Sequence, residues 1–141
     1  MVDLPERLAE FAFPGDLRDR LVRAILDGAK TATAALLLEY ELEGEPLPRA
    51  GERSTVIDST GRPVAVIETV AVEVLAFADV GLAFARDEGE GFETVDDWRA
   101  GHRRFWQSDE MRAALGRPDF TVADDTLVVA ERFRLVESLS L

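Results

Sequence analysis

VAVIETVAVEVLAF, residues Val64 to Phe77, is dominated by β-branched side chains, and Val64, Val66, Val70, Val72 and Val74 share one parity. In an extended chain successive side chains alternate faces, so this spacing predicts a long strand with one mostly apolar face. Upstream lie STVID (54–58) and the turn-forming STGRP (59–63), which make the stretch the second arm of a hairpin. Far downstream, TLVVAERFRLVE (126–137) alternates Leu127, Val129, Phe133 and Leu135, the pattern of a strand buried on one side.

Around this hairpin the texture is helical. GDLRDRLVRAILDG (15–28) places Leu17, Leu21, Ala24 and Ile25 at helical spacing, with Asp16 suited to cap the start and Gly28 to end it. AALLLEYELEG (34–44) is built of strong helix formers and stops at Gly44. ADVGLAFARDEGEGF (78–92) predicts a short helix closing in an acidic, glycine-rich turn. Thr94 followed by Asp97 forms a capping box with the shorter acid, opening TVDDWRAGHRRFWQS (94–108), where Trp98, His102 and Phe105 share a face. Helices, a hairpin, helices again and a final strand lack regular strand–helix alternation. The fold class expected is α+β, a mainly antiparallel sheet curling into a small barrel flanked by helices.

Composition bounds the function. The chain has 141 residues, enough for a single domain over 1–141. Its formal charge of −12, from 28 acidic against 16 basic residues, repels extended polyanions, so no DNA or RNA duplex is expected as partner. Cysteine is absent and there is one histidine, which removes thiolate chemistry and metal sites built from imidazole or thiolate; no metal and no cofactor are expected. MVDLPERLAE is unlike a secretory signal and no apolar run approaches the length of a membrane span, so a soluble, cytoplasmic protein without membrane contact is expected.

Chemistry concentrates in GAKTAT (28–33). Lys30 and Thr33 are three apart, and a helical turn there would place them on one side. A threonine hydroxyl becomes a nucleophile when a base takes its proton, a buried lysine can be that base, and a nearby carboxylate can protonate a leaving amine. Spacing alone does not choose among the carboxylates. Backbone N–H groups of the Gly28–Thr33 turn would stabilise an oxyanion. The rival site is RAGHRRFW (99–106), where Arg99, His102, Arg103, Arg104 and Trp106 interleave charge with aromatics as RNA-binding surfaces do.

GAKTATAALLLEYELEGEPLPRAGERSTVID, GRPVAVIETVAVEVLAFADVGLAFARDEGEG, WRAGHRRFW and ERFRLVE together resemble the ASCH domain family in its longer bacterial form, over nearly the whole chain. The glycine–lysine–threonine core, the P-x-x-G-E turn and the A-x-x-E-G-x-G turn occur in family order. The resemblance implies a PUA-like fold and a function directed at RNA or nucleosides. It implies a metal-independent amidohydrolase that deacylates N(4)-acetylcytidine-type nucleosides, with Thr33 as nucleophile, Lys30 as proton acceptor and Glu88 as proton donor. The alternative it implies is an RNA-binding module or single-strand ribonuclease using the same cleft. The partner is then a small nucleoside or a short single-stranded RNA. Arg86, Trp98, His102 and Arg103 are the expected substrate contacts. One departure is Ala35, where the family motif commonly carries an arginine; its loss removes a bidentate partner for a carbonyl or phosphate oxygen.

Overall fold

The two long strands predicted from the valine-rich and C-terminal stretches form the spine of a five-stranded sheet. In the computed structural model, which describes residues 3–139, the strands are β1 (Leu8–Ala9), β2 (Ala32–Leu36), β3 (Arg53–Ile57), β4 (Pro63–Ala76) and β5 (Leu127–Ser138). Their spatial order is β1-β3-β4-β5-β2, antiparallel throughout except for the short parallel β1–β3 pair. The helices are α1 (Asp16–Leu26), α2 (Leu37–Glu43), α3 (Leu82–Asp87), α4 (Val95–Trp106) and α5 (Asp109–Leu115), with a 3₁₀ turn at Phe77–Asp79. The α+β class holds, and the mainly antiparallel sheet is curled but open, because its edges β1 and β2 do not pair with each other.

The curl has a local cause. Thr69 pairs with Phe133 and Ala71 with Arg132, so Val70 is an extra residue on β4; Val66 pairs with Glu137 and Ile67 with Leu135, so Val136 is an extra residue on β5. Each bulge bends the ladder and exchanges the faces beyond it. The single-parity valine face is therefore broken. Val64 to Ile67 are buried in succession, whereas Val70 and Val74 are exposed. On β5, Val128, Val129 and Ala130 are likewise buried together while Leu127 is exposed, since β5 is an interior strand between β4 and β2.

Two further expectations are corrected. Residues 32–36 are strand, although Ala34 to Leu36 were read as helix, because the edge of β5 supplies a backbone ladder that outweighs the helix preference of alanine and leucine. The helix starts at Leu37, where the Glu39 side chain reaches back to accept the Leu36 N–H at 2.8 Å. Gly15, not Asp16, is the N-cap of α1. The Thr94 cap forms as expected, its hydroxyl accepting the Asp97 N–H at 3.0 Å.

Two apolar cores result. One packs Phe77, Phe84, Trp98, Trp106, Met111 and Leu115 against Ala32, Leu36, Val128 and Ala130. The other packs Val22 and Ile25 of α1 with Phe11 against Val56, Ala65, Ile67 and Phe133. No helix among the described residues is long and apolar enough to cross a membrane.

Candidate active site

Lys30 lies where the two cores meet, just ahead of β2. Its side chain is 1 % exposed, and its Nζ sits 5.8 Å from the centre of the Phe11 ring. An ammonium so buried needs acceptors. Nζ donates to the Ala32 carbonyl at 2.9 Å and the Glu88 carbonyl at 3.2 Å, and faces Glu90 Oε2 at 3.3 Å and Glu88 Oε2 at 3.5 Å. All of these acceptors but the Ala32 carbonyl come from the acidic turn that follows α3. That turn is docked on the lysine loop by the Thr31 N–H, which donates to the Asp87 carbonyl at 2.8 Å. Gly89 permits the approach: its φ is +67°, and a Cβ there would stand 2.5 Å from the Ala29 carbonyl oxygen and 2.8 Å from Lys30 Cα.

Glu88 is the most enclosed acid of the cluster, 1 % exposed. Its Oε1 accepts the indole N–H of Trp98 at 2.7 Å and faces His102 Nε2 at 3.3 Å, while Oε2 faces Lys30. Trp98 and His102, one turn apart on α4, stack with ring centroids 4.1 Å apart. His102 Nδ1 lies 2.9 Å from the Trp98 carbonyl, which only accepts, so Nδ1 carries a proton and a second proton on Nε2 makes the ring an imidazolium. Burial opposes that charge, but the Glu88 hydrogen bond and the charges of Glu88 and Glu90 outweigh it and raise the His102 pKa. Burial likewise opposes ionisation of Glu88, yet the His102 hydrogen bond and the Lys30 charge hold its carboxyl well below the usual range. Glu90 goes the other way. Burial first, then its hydrogen bond to Glu88, push it up to about 7, against the pull of Lys30.

Thr33 is half-buried in β2, opposite Glu131 of β5. The helical turn expected to join it to Lys30 is absent, because the segment is a strand; both residues nonetheless line one cleft of about 820 Å³. Among the described residues, Thr33 Oγ1 is not a hydrogen-bond partner of Lys30 Nζ. The oxyanion donors expected from the loop are also spent. The N–H groups of Gly28, Ala29, Lys30 and Thr31 donate to the carbonyls of Ile25, Ala24, Ala24 and Asp87.

The other expected contacts separate. His102 lines the cleft with Trp106 and Phe92. Trp98 is fully buried, its polar atom committed to Glu88. Arg86 is exposed and outside the cleft lining. Arg103 lies over the Phe77 ring at 4.9 Å and pairs with Asp124 at 3.5 Å. Arg99 reaches the Ala78 carbonyl at 2.8 Å. Ala35 lines the cleft, and the basic residues lining it besides Lys30 are Arg7 and Arg18. Arg18 is buried and held by the Phe11 and Ala12 carbonyls, and Arg7 pairs with Glu52. Against these cations stand eight glutamates, including Glu39, Glu131 and the Glu88–Glu90 pair.

Sequence reasoning passed over Glu90, the variable position of A-x-x-E-G-x-G, although its two flanking glycines marked a turn tight enough to aim two carboxylates at one point. Glu88, Glu90 and His102 bring ligand atoms within 4.8 Å of one another, a set able to hold a metal ion. In this fold the cation against both carboxylates is the Lys30 ammonium.

The open, curled α+β sheet is of the PUA-like kind. The family model for the ASCH domain matches residues 9–137, and the chain belongs to that family. It is similar to the crystal structure of protein EF3133 from Enterococcus faecalis V583, at 30 % identity and a TM-score of 0.82, over 98 % of this chain and 80 % of that one. It is also similar to an ASCH domain from Lactobacillus crispatus JV V101, at 28 % identity and a TM-score of 0.76, over 94 % and 81 % of the respective chains. No curated protein matches the chain.

Proposed function

We propose that this protein is a metal-independent amidohydrolase acting on N(4)-acetylcytidine-type nucleosides. Thr33 attacks the acyl carbon, Lys30 accepts its proton, and an acid of the Glu88–Glu90 turn protonates the departing amine. The observation that carries the reading is the shared cleft: a lysine sealed between two cores, a threonine hydroxyl and a carboxylate pair face the same space. Such a site can exchange protons without bulk water.

The lining supports that substrate class. A wall of glutamates repels phosphates and suits an uncharged nucleoside, whose amide and hydroxyl groups can bond to carboxylates. Glu39 and Glu131, both pushed up by burial, and Tyr40, pushed up to about 12 chiefly by burial, bring further hydrogen-bonding groups to that wall. The test is to incubate the purified protein with acylated cytidines and with short single-stranded RNA and to follow both products. Deacylation that disappears in Thr33→Ala is the expected outcome; chain cleavage without deacylation overturns the reading.

A further inference from the structure

We propose that Glu90, and not the more deeply buried Glu88, delivers the proton to the leaving amine, while Glu88 acts as a positioning residue. The inference rests on the deacylase reading above and assigns its acid.

Geometry separates the two carboxylates. Glu88 is enclosed and has both oxygens occupied, Oε1 by Trp98 and His102 and Oε2 by Lys30. To donate, it would need a proton on a carboxylate whose two oxygens already face Trp98, His102 and Lys30, and it would need a route out of a side chain that is 1 % exposed. Glu90 has Lys30 Nζ at 3.3 Å from Oε2; both carboxylates line the cleft, but the Glu90 side chain is 20 % exposed against 1 % for Glu88. It is the member of the pair that a substrate nitrogen can reach. The charged groups facing it are Lys30 from the loop before β2, Glu88 from its own turn and His102 from α4. The upward push on Glu90 agrees with this division, since an acid serving near neutral pH must hold its proton there.

The proton balance closes with these residues. In acylation a proton of the Lys30 ammonium first passes to the Glu90 carboxylate 3.3 Å away, and the amine so freed takes the Thr33 hydroxyl proton as Oγ1 bonds to the acyl carbon. The C–N bond then breaks as the Glu90 carboxyl protonates the nitrogen. In deacylation water takes the place of the amine: the Glu90 carboxylate accepts a water proton as the hydroxide adds, and the Lys30 ammonium returns its proton to Thr33 as the ester bond breaks. One amide and one water are consumed, one acid and one amine are released, and all three side chains are restored. Glu88 gains and loses no proton; it holds Lys30 from one side and His102 from the other.

A leaving-group comparison tests this. Wild type, Thr33→Ala, Glu88→Gln, Glu90→Gln and Glu90→Asp are assayed on N(4)-acetylcytidine, whose amine must be protonated, and on p-nitrophenyl acetate, whose phenolate leaves without a proton. Glu90→Gln is expected to lower kcat/KM on the amide by at least about 100-fold and on the ester by far less, and Glu90→Asp to recover part of the loss. The alkaline fall of the wild-type amide profile disappears in Glu90→Gln. Glu88→Gln lowers both substrates by a common factor. With an active wild type, an amide-to-ester ratio in Glu90→Gln within about threefold of wild type, or a selective amide loss in Glu88→Gln instead, overturns this assignment alone. An inactive wild type, or full amide turnover by Thr33→Ala, overturns the deacylase reading and the assignment together.

Discussion

At the scale of single residues, Lys30 and Thr33 differ in what their removal tests. Lys30 is the cation of a buried cluster, so Lys30→Met leaves Glu88 short of a partner and is expected to cost about 3–5 kcal/mol, the usual penalty for breaking a buried pair. Thr33 is half-buried and shares the cleft with the cluster. Thr33→Ala is therefore expected to change stability by less than about 1 kcal/mol, read by urea denaturation, while amide turnover falls on the order of 10³-fold or more. The same cluster sets a pH dependence of stability. Glu88 is held below its ordinary value of 4.5, so its contribution is complete above that pH and is lost as pH falls through the lowered folded value. His102 is held above its ordinary 6.5, so its contribution is complete below that pH and is lost as pH rises through the raised value. Glu90, raised from 4.5 to about 7, binds a proton in the folded state that the unfolded chain has released, so stability falls between those pH values. Maximum stability is expected on the mildly acidic side. Glu90→Gln, which keeps a neutral donor toward Glu88, is expected to be more stable than wild type near pH 8 and no more stable near pH 5, by urea titration at both.

At the scale of elements, the decisive piece is the turn from Glu88 to Gly91. A side chain at position 89 would meet the backbone of Ala29 and Lys30, which cannot swing away as a side-chain tip can, and φ is in the left-handed region. Gly89→Ala is expected to destabilise by about 2–4 kcal/mol, combining left-handed strain with overpacking, and to abolish turnover even where the protein still folds. Loss of stability without loss of activity in the folded fraction would detach the turn from the site. The glycines of EGEG were legible in the sequence as a turn, and so were the Thr94 cap of α4, the hairpin and the final strand. What was not legible depends on partners distant in the chain. Alanines at 32, 34 and 35 have no reason to be a strand until β5 stands beside them, 94 to 100 residues downstream. The bulges at Val70 and Val136 leave no signature in a run of valines, yet they decide which valines are buried. Lys30 and Thr33 were found by their spacing, but the spacing was read on a helix; the cleft joins them across a strand.

At the scale of the whole molecule, the aromatic and basic stretch of α4 and the acidic cleft bear together on the choice of partner. A single-strand binding surface needs accessible aromatic faces and uncommitted cations. Trp98 and Trp106 are in the core, Arg103 covers Phe77 and pairs with Asp124, and Arg99 holds the 3₁₀ turn after β4 through the Ala78 carbonyl. The stretch that reads as a nucleic-acid platform is thus turned largely inward: its tryptophans carry the load of one apolar core, Trp98 and His102 face Glu88, and Arg104 is left exposed. With a formal charge of −12 and glutamates around the cleft, the approach of a phosphate backbone is opposed at long range as well as at contact. Binding of a neutral nucleoside displaces no condensed counterions, so its Kd is expected to change less than about threefold between 50 and 200 mM salt, measured calorimetrically on Thr33→Ala to prevent turnover. A surface neutralising six or more phosphates would instead lose about 10³-fold over that range. A steep salt dependence with single-stranded RNA, retained when Arg103 and Arg104 are changed to Gln, would require cations elsewhere on the molecule and would displace the nucleoside reading; a flat dependence with acylated cytidine places the recognition in the cleft itself.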